Sequence, residues 1–415
     1  MSSQIPELME RLIVDGTKVG WYPERIAAWK RGERIAPVTL DCAMTRRCQA
    51  ACSFCYAQLQ SSESDVPITE QCFKDFLTDA AEIGVKGVSF ISDGESTVVP
   101  WYAAAVEHAA ALGLAVGAGS NGIRLTRDVL ERVLPHLSYL RFNFSAGEEQ
   151  RYAQIMGVPR HCYHDVIQNI KDGMEIIRQG TECEECRGRG GFDWYPEDDP
   201  TNSRLEGPIW TKCQPCSGSG RIPLGCTLNM QLVCDPKDAD QLIPFARLCC
   251  ELRPTYGVIK HCADDSEGTL KVDYSKYDQL METFDRCEEL GREAGVRIEV
   301  KRSRLDGKRD YHRCYGPPFI MQISGNGLVA PCGFLFNEKW KAFHIGNITR
   351  ERFRDIWASD RFKEVMDYLA SEHFDPSVRC GPNCLQHNTN RFLYDHVHRG
   401  VALPVVEAPP HLEFL

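Results

Sequence analysis

The sequence predicts an α/β protein with a mostly parallel sheet, a cysteine-rich insertion and a small C-terminal α+β region. Strand-like apolar runs alternate with helical periodicity along most of the chain. Residues 181–225 interrupt this alternation with Gly, Pro, Cys and charged residues, and it stops after about residue 303. Six βα units in succession favour a parallel sheet with its helices outside.

Composition limits the possible classes of protein. The chain has 415 residues, of which 43% are hydrophobic, and a formal net charge of −10. Two or three domains are expected, with enough apolar residues for a core, and general disorder is excluded. The longest apolar stretch, 102–119, is broken by Glu107 and His108, so no membrane partner is expected. The acidic charge is a poor match for nucleic acid.

The elements are predicted in chain order. The first strand, 37–42, follows an N-terminal helical extension, 1–36, with helices at Glu7–Val14 and Pro23–Arg31. The later core strands are Val85–Ile91, Leu114–Gly119, Ser138–Phe144, Thr227–Cys234, Tyr256–Cys262 and Val296–Val300. The helices between them are Glu70–Ile83, Trp101–Leu112, Arg127–Pro135, His164–Gln179, Ala239–Glu251 and Ser275–Ala294. Thr69 is a candidate N-cap and Gly84 a candidate C-terminal stop.

The C-terminal region does not continue the alternation of strands and helices. A hairpin is predicted from Phe319–Ile323 and Leu328–Ala330, because Asn326-Gly327 is a strong turn signal. Helices follow at Arg350–Ala358 and Arg361–Leu369. We therefore predict a core over 37–302 that contains the insertion 181–225, a domain over 303–399, and a loosely held Pro-rich tail over 400–415.

Cysteine is the unusual residue, with 20 in the chain. The first residues carry no signal-peptide pattern, so a reducing, cytoplasmic location is expected and metal or catalytic cysteines are favoured over disulfides. Cys48, Cys52 and Cys55 form a CxxxCxxC loop after the first strand. Three thiolates can hold three irons of a [4Fe-4S] cluster and leave the fourth iron open; the alternative is a structural zinc or no metal.

This loop resembles the signature of the radical S-adenosylmethionine (SAM) superfamily, and Phe54 is the aromatic residue that the signature has before its last cysteine. Asp93-Gly94-Glu95 is similar to the family's GGE-type motif, with Asp in place of the first Gly, and Ser120-Asn121-Gly122 to its S/T-N-G turn. Asn143 and Ser145 stand where the family often has a polar residue near SAM. For Asn143 and Ser145 the alternative is ordinary packing at a strand end. For Glu95 the alternative is a carboxylate at a helix N-terminus, where the helix dipole favours it.

The resemblance implies a partial (β/α)6 TIM-like barrel and SAM binding by these residues at the carboxyl ends of the strands. It implies further that a reduced cluster passes one electron to SAM, giving a 5′-deoxyadenosyl radical that removes a substrate hydrogen. A flavodoxin- or ferredoxin-type protein would be the reductant. A thiol at Cys262, near a strand end, could donate a hydrogen atom to a substrate radical, but a buried apolar role is the alternative.

The second cysteine set is C-terminal: Cys314, Cys332, Cys380 and Cys384. The intervening Gly346-Asn347-Ile348 and Ile356-Trp357 resemble a stretch of the SPASM/twitch extension, which holds auxiliary iron–sulfur clusters. Four cysteines match one fully ligated [4Fe-4S] cluster, as in the shorter twitch form. The CxxxC spacing of the last pair is unusual, and a structural zinc is the alternative.

The third set lies in the insertion, where Cys183 and Cys186, then Cys213 and Cys216, belong to two copies of CxxCxGxG. Paired CxxC knuckles are a strong zinc signal, and the copies resemble the zinc-binding repeats of the DnaJ chaperone family without implying chaperone activity. The site is predicted to be structural. A platform for substrate or partner, and a third iron–sulfur cluster, are the alternatives.

The sequence therefore predicts a radical SAM enzyme that modifies a small molecule, such as a sugar, amino acid or nucleotide, or a peptide. One alternative is a ribosomal-peptide maturase that uses a separate recognition partner. Another is a non-catalytic iron–sulfur protein for electron transfer or sensing. The expected cofactors are SAM, two [4Fe-4S] clusters and Zn²⁺.

Overall fold

The computed structural model describes residues 16–60, 66–194, 209–302 and 309–415. Its centre is a sheet of ten strands in the order β11-β10-β9-β4-β3-β2-β1-β12-β13-β14, parallel from β11 to β12 and antiparallel beyond. The strands of this sheet are β1 Thr39–Cys42, β2 Gly87–Phe90, β3 Ala115–Ser120, β4 Tyr139–Asn143, β9 Thr227–Cys234, β10 Tyr256–His261, β11 Arg297–Val300, β12 Ile320–Ile323, β13 Leu328–Ala330 and β14 Gly346–Asn347.

The α-helices of the described residues are α1 Pro23–Lys30, α2 Glu70–Ile83, α3 Tyr102–Ala111, α4 Arg127–Val133, α5 Glu149–Met156, α6 His161–Gln179, α7 Leu242–Leu252, α8 Met281–Ala294, α9 Phe353–Ala358, α10 Asp360–Ala370, α11 Pro376–Arg379 and α12 His387–His398. None of them is both long and apolar enough to cross a membrane. α2 shows why the predicted bounds held: the Thr69 hydroxyl accepts a hydrogen bond from the backbone N–H of Cys72, and Gly84 ends the helix at φ +98°.

The predicted α/β class is confirmed, and the sheet curves around a central cavity. Lys301, which follows β11, and Ile320 of β12 stand at opposite ends of the eight parallel strands, yet both line this cavity. The predicted hairpin is present, but its first strand, β12, pairs in parallel with β1 and continues the core sheet. The hairpin thereby brings the C-terminal region against the first strand.

Some elements differ from the prediction. α5, α11, α12 and β14 were not predicted, and the predicted start of the helix at Ser275 falls in a 3₁₀ segment, Tyr274–Leu280, that precedes α8. The predicted helix Glu7–Val14 lies outside the described residues.

The expectation of a loose tail is wrong for its last residues. The backbone carbonyl of His411 accepts a hydrogen bond of 2.7 Å from Lys18 Nζ, and that of Glu413 accepts one of 2.6 Å from Thr39 Oγ1 at the start of β1. Phe414 is buried edge-on against the ring of Tyr139, at the start of β4. The local composition of the tail could not predict these contacts, because Lys18, Thr39 and Tyr139 lie hundreds of residues away in the sequence.

The insertion forms two small antiparallel sheets in its described part. β5 Thr181–Glu182 pairs with β8 Arg221–Ile222, and β6 Gly191–Trp194 pairs with β7 Ile209–Lys212. The first pair joins the two ends of the insertion, and the second lies beyond the cysteines.

Candidate functional site

The central cavity has a volume of about 420 Å³ and extends through the curved sheet. At the carboxyl ends of the strands it is lined by Cys48, Cys52 and Cys55. At the amino ends it is lined by Phe414 and Leu415. Ligands of parallel α/β sheets gather at the carboxyl ends of the strands, so the cysteine end is the candidate active site.

The CxxxCxxC loop is held on both sides. The backbone N–H groups of Ala51 and Ser53 donate to the carbonyls of Met156 and Ile155 at the end of α5. Gln58 Nε2 donates to the carbonyl of Cys52. Burial raises the pKa values of the Cys48, Cys52 and Cys55 thiols, and the neighbouring thiols raise those of Cys48 and Cys52 further. A metal centre that binds thiolates would offset this cost.

Glu95 is a buried carboxylate next to this loop. Its Oε2 accepts a hydrogen bond of 2.8 Å from the N–H of Asn121, and its Oε1 accepts one of 2.9 Å from the hydroxyl of Ser120. Thr97 donates to Oε1 from both its N–H and its hydroxyl. Burial raises the pKa of Glu95, while these donors lower it. Glu95 and Asn121 line the cavity, and the Asn121 side-chain amide lies 3.7 Å from Cys48 Sγ.

The sequence motif places Asp93 beside Glu95, but the structure directs its side chain elsewhere. The buried Asp93 carboxylate accepts hydrogen bonds from the Ser324 hydroxyl at 2.7 Å and the Gly325 N–H at 2.9 Å, and Arg46 Nε lies 3.2 Å away. Gly94 approaches Thr45 so closely that a Cβ would stand 2.0 Å from its carbonyl oxygen. Asp93 therefore ties the motif to the β12–β13 turn.

Of the remaining residues predicted to contact SAM, three line the cavity and two are hydrogen-bonded behind its surface. Phe54, Gly94 and Asn143 line the cavity. The Ser120 hydroxyl donates a hydrogen bond to Glu95, and the Ser145 hydroxyl accepts one from the N–H of Val233. Both hydroxyls therefore support the residues that line the cavity.

Sequence reasoning missed a set of polar side chains deeper in the cavity. They are Arg141, Asn229, Gln231, Tyr256 and Lys260. Part of their signal was present, since Arg141, Asn229 and Gln231 alternate with apolar residues along β4 and β9. Gln231 Nε2 donates to Asn143 Oδ1 at 2.9 Å, and Asn229 Nδ2 donates to the Tyr256 hydroxyl at 3.1 Å.

The C-terminal cysteines Cys314, Cys332, Cys380 and Cys384 line one further cavity. Within the described residues, they do not form a set whose sulfur atoms all lie within 4.8 Å of one another. Burial, and then the neighbouring thiols, raise the pKa of Cys314. Asn390 Nδ2 lies 3.6 Å from Cys384 Sγ, and Cys384 also lines the central cavity. The C-terminal set therefore adjoins the candidate active site.

The insertion cysteines are closer together. The sulfur atoms of Cys183, Cys186, Cys213 and Cys216 all lie within 4.8 Å of one another and are buried. Cys183 Sγ is 3.7 Å from Cys213 Sγ, and Cys186 Sγ is 3.6 Å from Cys216 Sγ. Tetrahedral zinc with Zn–S bonds of about 2.3 Å separates its sulfur ligands by about 3.8 Å, so this set has the dimensions of a zinc site.

The two copies of the insertion motif have matching hydrogen bonds. The Gly190 N–H donates to Cys186 Sγ and the Gly220 N–H donates to Cys216 Sγ, both at 3.3 Å. Burial raises the pKa of the Cys216 thiol, but the Gly220 N–H and the neighbouring thiols lower it more, to about 7.

Cys262 is fully buried, and its Sγ lies 3.8 Å from the Phe54 carbonyl. Its neighbours His261 and Ala263 line the cavity. Hydrogen donation by Cys262 stays a prediction.

Comparison with protein families identifies two regions. The radical SAM superfamily model matches residues 43–179, and the model of the SPASM iron–sulfur cluster-binding domain matches residues 314–385. The PqqA peptide cyclase of Bradyrhizobium diazoefficiens is 29% identical over 122 residues, which are 29% of this chain and 32% of the cyclase. The match thus spans about a third of that relative's length.

Solved structures share the fold. Streptococcus suis SuiB bound to its precursor peptide SuiA has a TM-score of 0.57 at 15% identity, covering 88% of this chain and 74% of SuiB. SuiB bound to S-adenosylmethionine has a TM-score of 0.56 at 15% identity, covering 83% and 72%. Native anSMEcpe with bound AdoMet and Cp18Cys peptide has a TM-score of 0.52 at 9% identity, covering 87% of this chain and 97% of anSMEcpe.

The domain matches agree with the position of the two cysteine sets. The CxxxCxxC loop lies in the first matched region and Cys314, Cys332, Cys380 and Cys384 lie in the second. The chain thus carries a radical SAM domain over residues 43–179 and a SPASM iron–sulfur cluster-binding domain over residues 314–385.

Proposed function

We propose that this protein removes a hydrogen atom from a peptide substrate by radical SAM chemistry. The observation that carries the proposal is the shared cavity: the CxxxCxxC loop, Glu95 and Cys384 of the C-terminal set all border one space of about 420 Å³. The peptide class is supported by the relatives, because the PqqA cyclase and SuiB both act on or bind peptides. A small-molecule substrate is the alternative.

Cys48, Cys52 and Cys55 would hold the SAM-binding [4Fe-4S] cluster. Their thiols face the cavity from one loop, and three thiolates leave one iron of a cubane without a protein ligand. When bound and reduced, such a cluster would supply the electron for the reductive cleavage of SAM.

The protein's own residues position SAM and keep water out. Glu95 offers a carboxylate to the SAM amino group, with its orientation set by Thr97, Ser120 and Asn121. Phe54, Gly94 and Asn143 would complete the walls around SAM, and Ser145 supports the end of β4 from behind. Phe414 and Leu415 line the opposite end of the cavity with apolar side chains, which disfavours water there.

The C-terminal cysteines would hold one auxiliary [4Fe-4S] cluster at the edge of this space. Their separation exceeds that of the insertion thiols, which favours a cluster over a single zinc ion. We propose zinc for the insertion because its sulfur separations match tetrahedral zinc. The zinc site is closed, so its role is structural.

The central experiment uses reconstituted protein reduced with dithionite or with a flavodoxin. We expect 5′-deoxyadenosine from SAM, and about eight irons and one zinc per chain. Cys52→Ala should abolish 5′-deoxyadenosine formation, while Cys250→Ala, a half-buried cysteine outside the three sets, should not. If wild-type protein with a full iron content forms no 5′-deoxyadenosine even with candidate peptides, an electron-transfer or sensor role replaces the enzyme proposal.

Substrate class requires a separate comparison. Short peptides encoded beside this gene and a panel of sugars, amino acids and nucleotides are incubated with reduced enzyme and SAM. A peptide that acquires a mass change together with 5′-deoxyadenosine supports the proposal. Turnover of a small molecule alone contradicts the peptide class but leaves the radical chemistry intact.

A further inference from the structure

We propose that Arg141 and Lys260 form a subsite that binds a carboxylate of the substrate inside the cavity. This inference rests on the proposed function, because it assigns the substrate chemistry of the same space. It is carried by the charge of the cavity wall, by the hydrogen bonds already made there, and by the room left for the Arg141 side chain.

The cavity is basic although the protein is acidic. The chain has a net charge of −10, yet the side chains that line the cavity include four basic residues and one carboxylate, Glu95. The basic residues are Lys18, Arg141, Lys260 and Lys301. An excess of one charge inside walls of low dielectric concentrates ligands of the opposite charge.

Each of the four cations interacts with groups of the protein. Lys301 Nζ lies 2.9 Å from Glu299, and Lys18 Nζ donates to the carbonyl of His411 at 2.7 Å. Arg141 and Lys260 both attract the carboxyl of Asp41, whose pKa burial raises to about 6 while Gln322 and the two cations lower it. One buried carboxylate therefore interacts with both cations of the proposed subsite.

Arg141 retains an unused donor. Its Nε is buried and has no hydrogen-bond partner, although a guanidinium can donate five hydrogen bonds. Leaving such a donor unpaired inside a protein is costly, and a carboxylate is the acceptor that matches the guanidinium best. The uncharged neighbours Asn229 and Gln231 already donate to Tyr256 and Asn143.

The neighbouring strand leaves room for this side chain. Gly119 of β3 is opposite Arg141 in the register, and a Cβ there would stand 3.1 Å from a terminal nitrogen of Arg141 and 2.8 Å from Ile91. A side chain at position 119 would crowd the guanidinium. The glycine thus allows Arg141 to extend along the cavity wall.

Arg141 lies deeper in the cavity than the expected SAM position. Arg141 precedes Asn143 by two residues on β4, which places its Cα about 6.5 Å further from the strand end. SAM, with a sulfonium, an ammonium and a carboxylate, has a net positive charge and does not neutralise a basic cavity. A carboxylate on the second ligand does. In a peptide it comes from an Asp or Glu side chain or from the C-terminus.

The test measures binding to the full chain before reduction, so that it does not depend on turnover. The probes are N-acetyl-glutamate methylamide, its uncharged glutamine analogue, and N-acetyl-glutamine with a free α-carboxylate. Binding is followed by ligand-observed NMR. We expect at least one of the two carboxylate probes to bind. The probe that binds identifies whether the substrate carboxylate comes from a side chain or from the C-terminus. The uncharged analogue should bind at least tenfold more weakly.

Variants assign the binding to the subsite. Arg141→Gln and Lys260→Met should weaken the carboxylate probe roughly tenfold or more, while Arg247→Gln, an exposed arginine of α7, should not. Asp41→Asn removes the competing carboxylate and should strengthen probe binding. This opposite sign separates a binding role from general damage to the fold.

Three outcomes overturn the inference: equal binding of the charged and uncharged probes, unchanged binding in Arg141→Gln, and displacement of the probe by SAM in wild-type protein. The last outcome would place Arg141 in the SAM site, and unchanged binding in Arg141→Gln would leave it as a counter-charge for the iron–sulfur clusters. Failure of the proposed function is recognised separately, because it appears as absent 5′-deoxyadenosine in reduced wild-type protein.

Discussion

Replacing Asp93 by the glycine of the GGE-type motif should destabilise the protein. The Asp93 carboxylate is the acceptor for the Ser324 hydroxyl and the Gly325 N–H, both within the buried β12–β13 turn. Each donor left without an acceptor costs about 1–3 kcal/mol, and glycine adds about 0.5–1 kcal/mol of backbone entropy. Loss of the ion pair with Arg46, whose side chain is one-third exposed, adds little to this destabilisation. The expected loss is about 4 kcal/mol.

The loss can be converted into a melting temperature. An unfolding entropy of about 2.1 cal/mol/K per residue gives about 0.9 kcal/mol/K for this chain, so Asp93→Gly should lower Tm by about 4–5 °C. Circular dichroism or calorimetry at fixed metal content measures this change. Because residues 93–95 form one loop against the cluster loop, the affinity for SAM should fall as well.

Ser324→Ala is the matched control. It removes one hydrogen bond and should cost about 1 kcal/mol, since Asp93 still holds Gly325. In the Asp93→Gly background Ser324→Ala removes the unpaired buried hydroxyl, so it should restore about 1–3 kcal/mol instead of costing any. Additive effects, or an Asp93→Gly protein that melts within 1 °C of wild type, would refute the assignment of Asp93 as the link between the two regions.

Three other changes test separate parts of the structure. Cys183→Ala with Cys186→Ala should remove zinc and leave iron unchanged by elemental analysis, and a fall in iron would contradict the zinc proposal. The raised pKa of Asp41, about 6, means that its contribution to stability is present below pH 4 and is lost as the pH rises through 6. The unfolding free energy of wild type relative to Asp41→Asn, measured in urea, should therefore fall by up to about 3 kcal/mol across that range, whereas a constant difference would refute it. Arg352→Ala should lower the urea midpoint, because the fully buried carboxylate of Asp79 loses its bidentate partner and keeps only the backbone N–H and the more distant side chain of Arg354; a midpoint within error of wild type would refute that role.

Local signals in the sequence were sufficient for much of the fold. α2 was predicted with its observed bounds because its cap at Thr69 and its stop at Gly84 are adjacent to it in the chain. The insertion thiols were found from spacing alone, since each CxxC turn carries its own geometry. α5 was missed because its eight residues include only a short apolar stripe.

Contacts between distant segments could not be predicted in this way. Asp93 matched a motif position for SAM binding, but its partner Ser324 is 231 residues further along the chain. Arg141 and Lys260 lie on different strands, and only the curvature of the sheet turns both toward one cavity. The packing of Phe414 against Tyr139 likewise depends on the whole fold.

The antiparallel pairing of β5 with β8 has a practical consequence. The chain leaves the core at Gly180 and returns beside it, where the Arg221 side chain donates to the carbonyls of Gln179 and Gly180 and the Leu224 N–H donates to the carbonyl of Ile177. A segment whose two ends meet can be exchanged for a short turn, or transplanted to another scaffold, without stretching the chain on either side. We therefore expect α6 and β9 to keep their places when the insertion is replaced by a short turn.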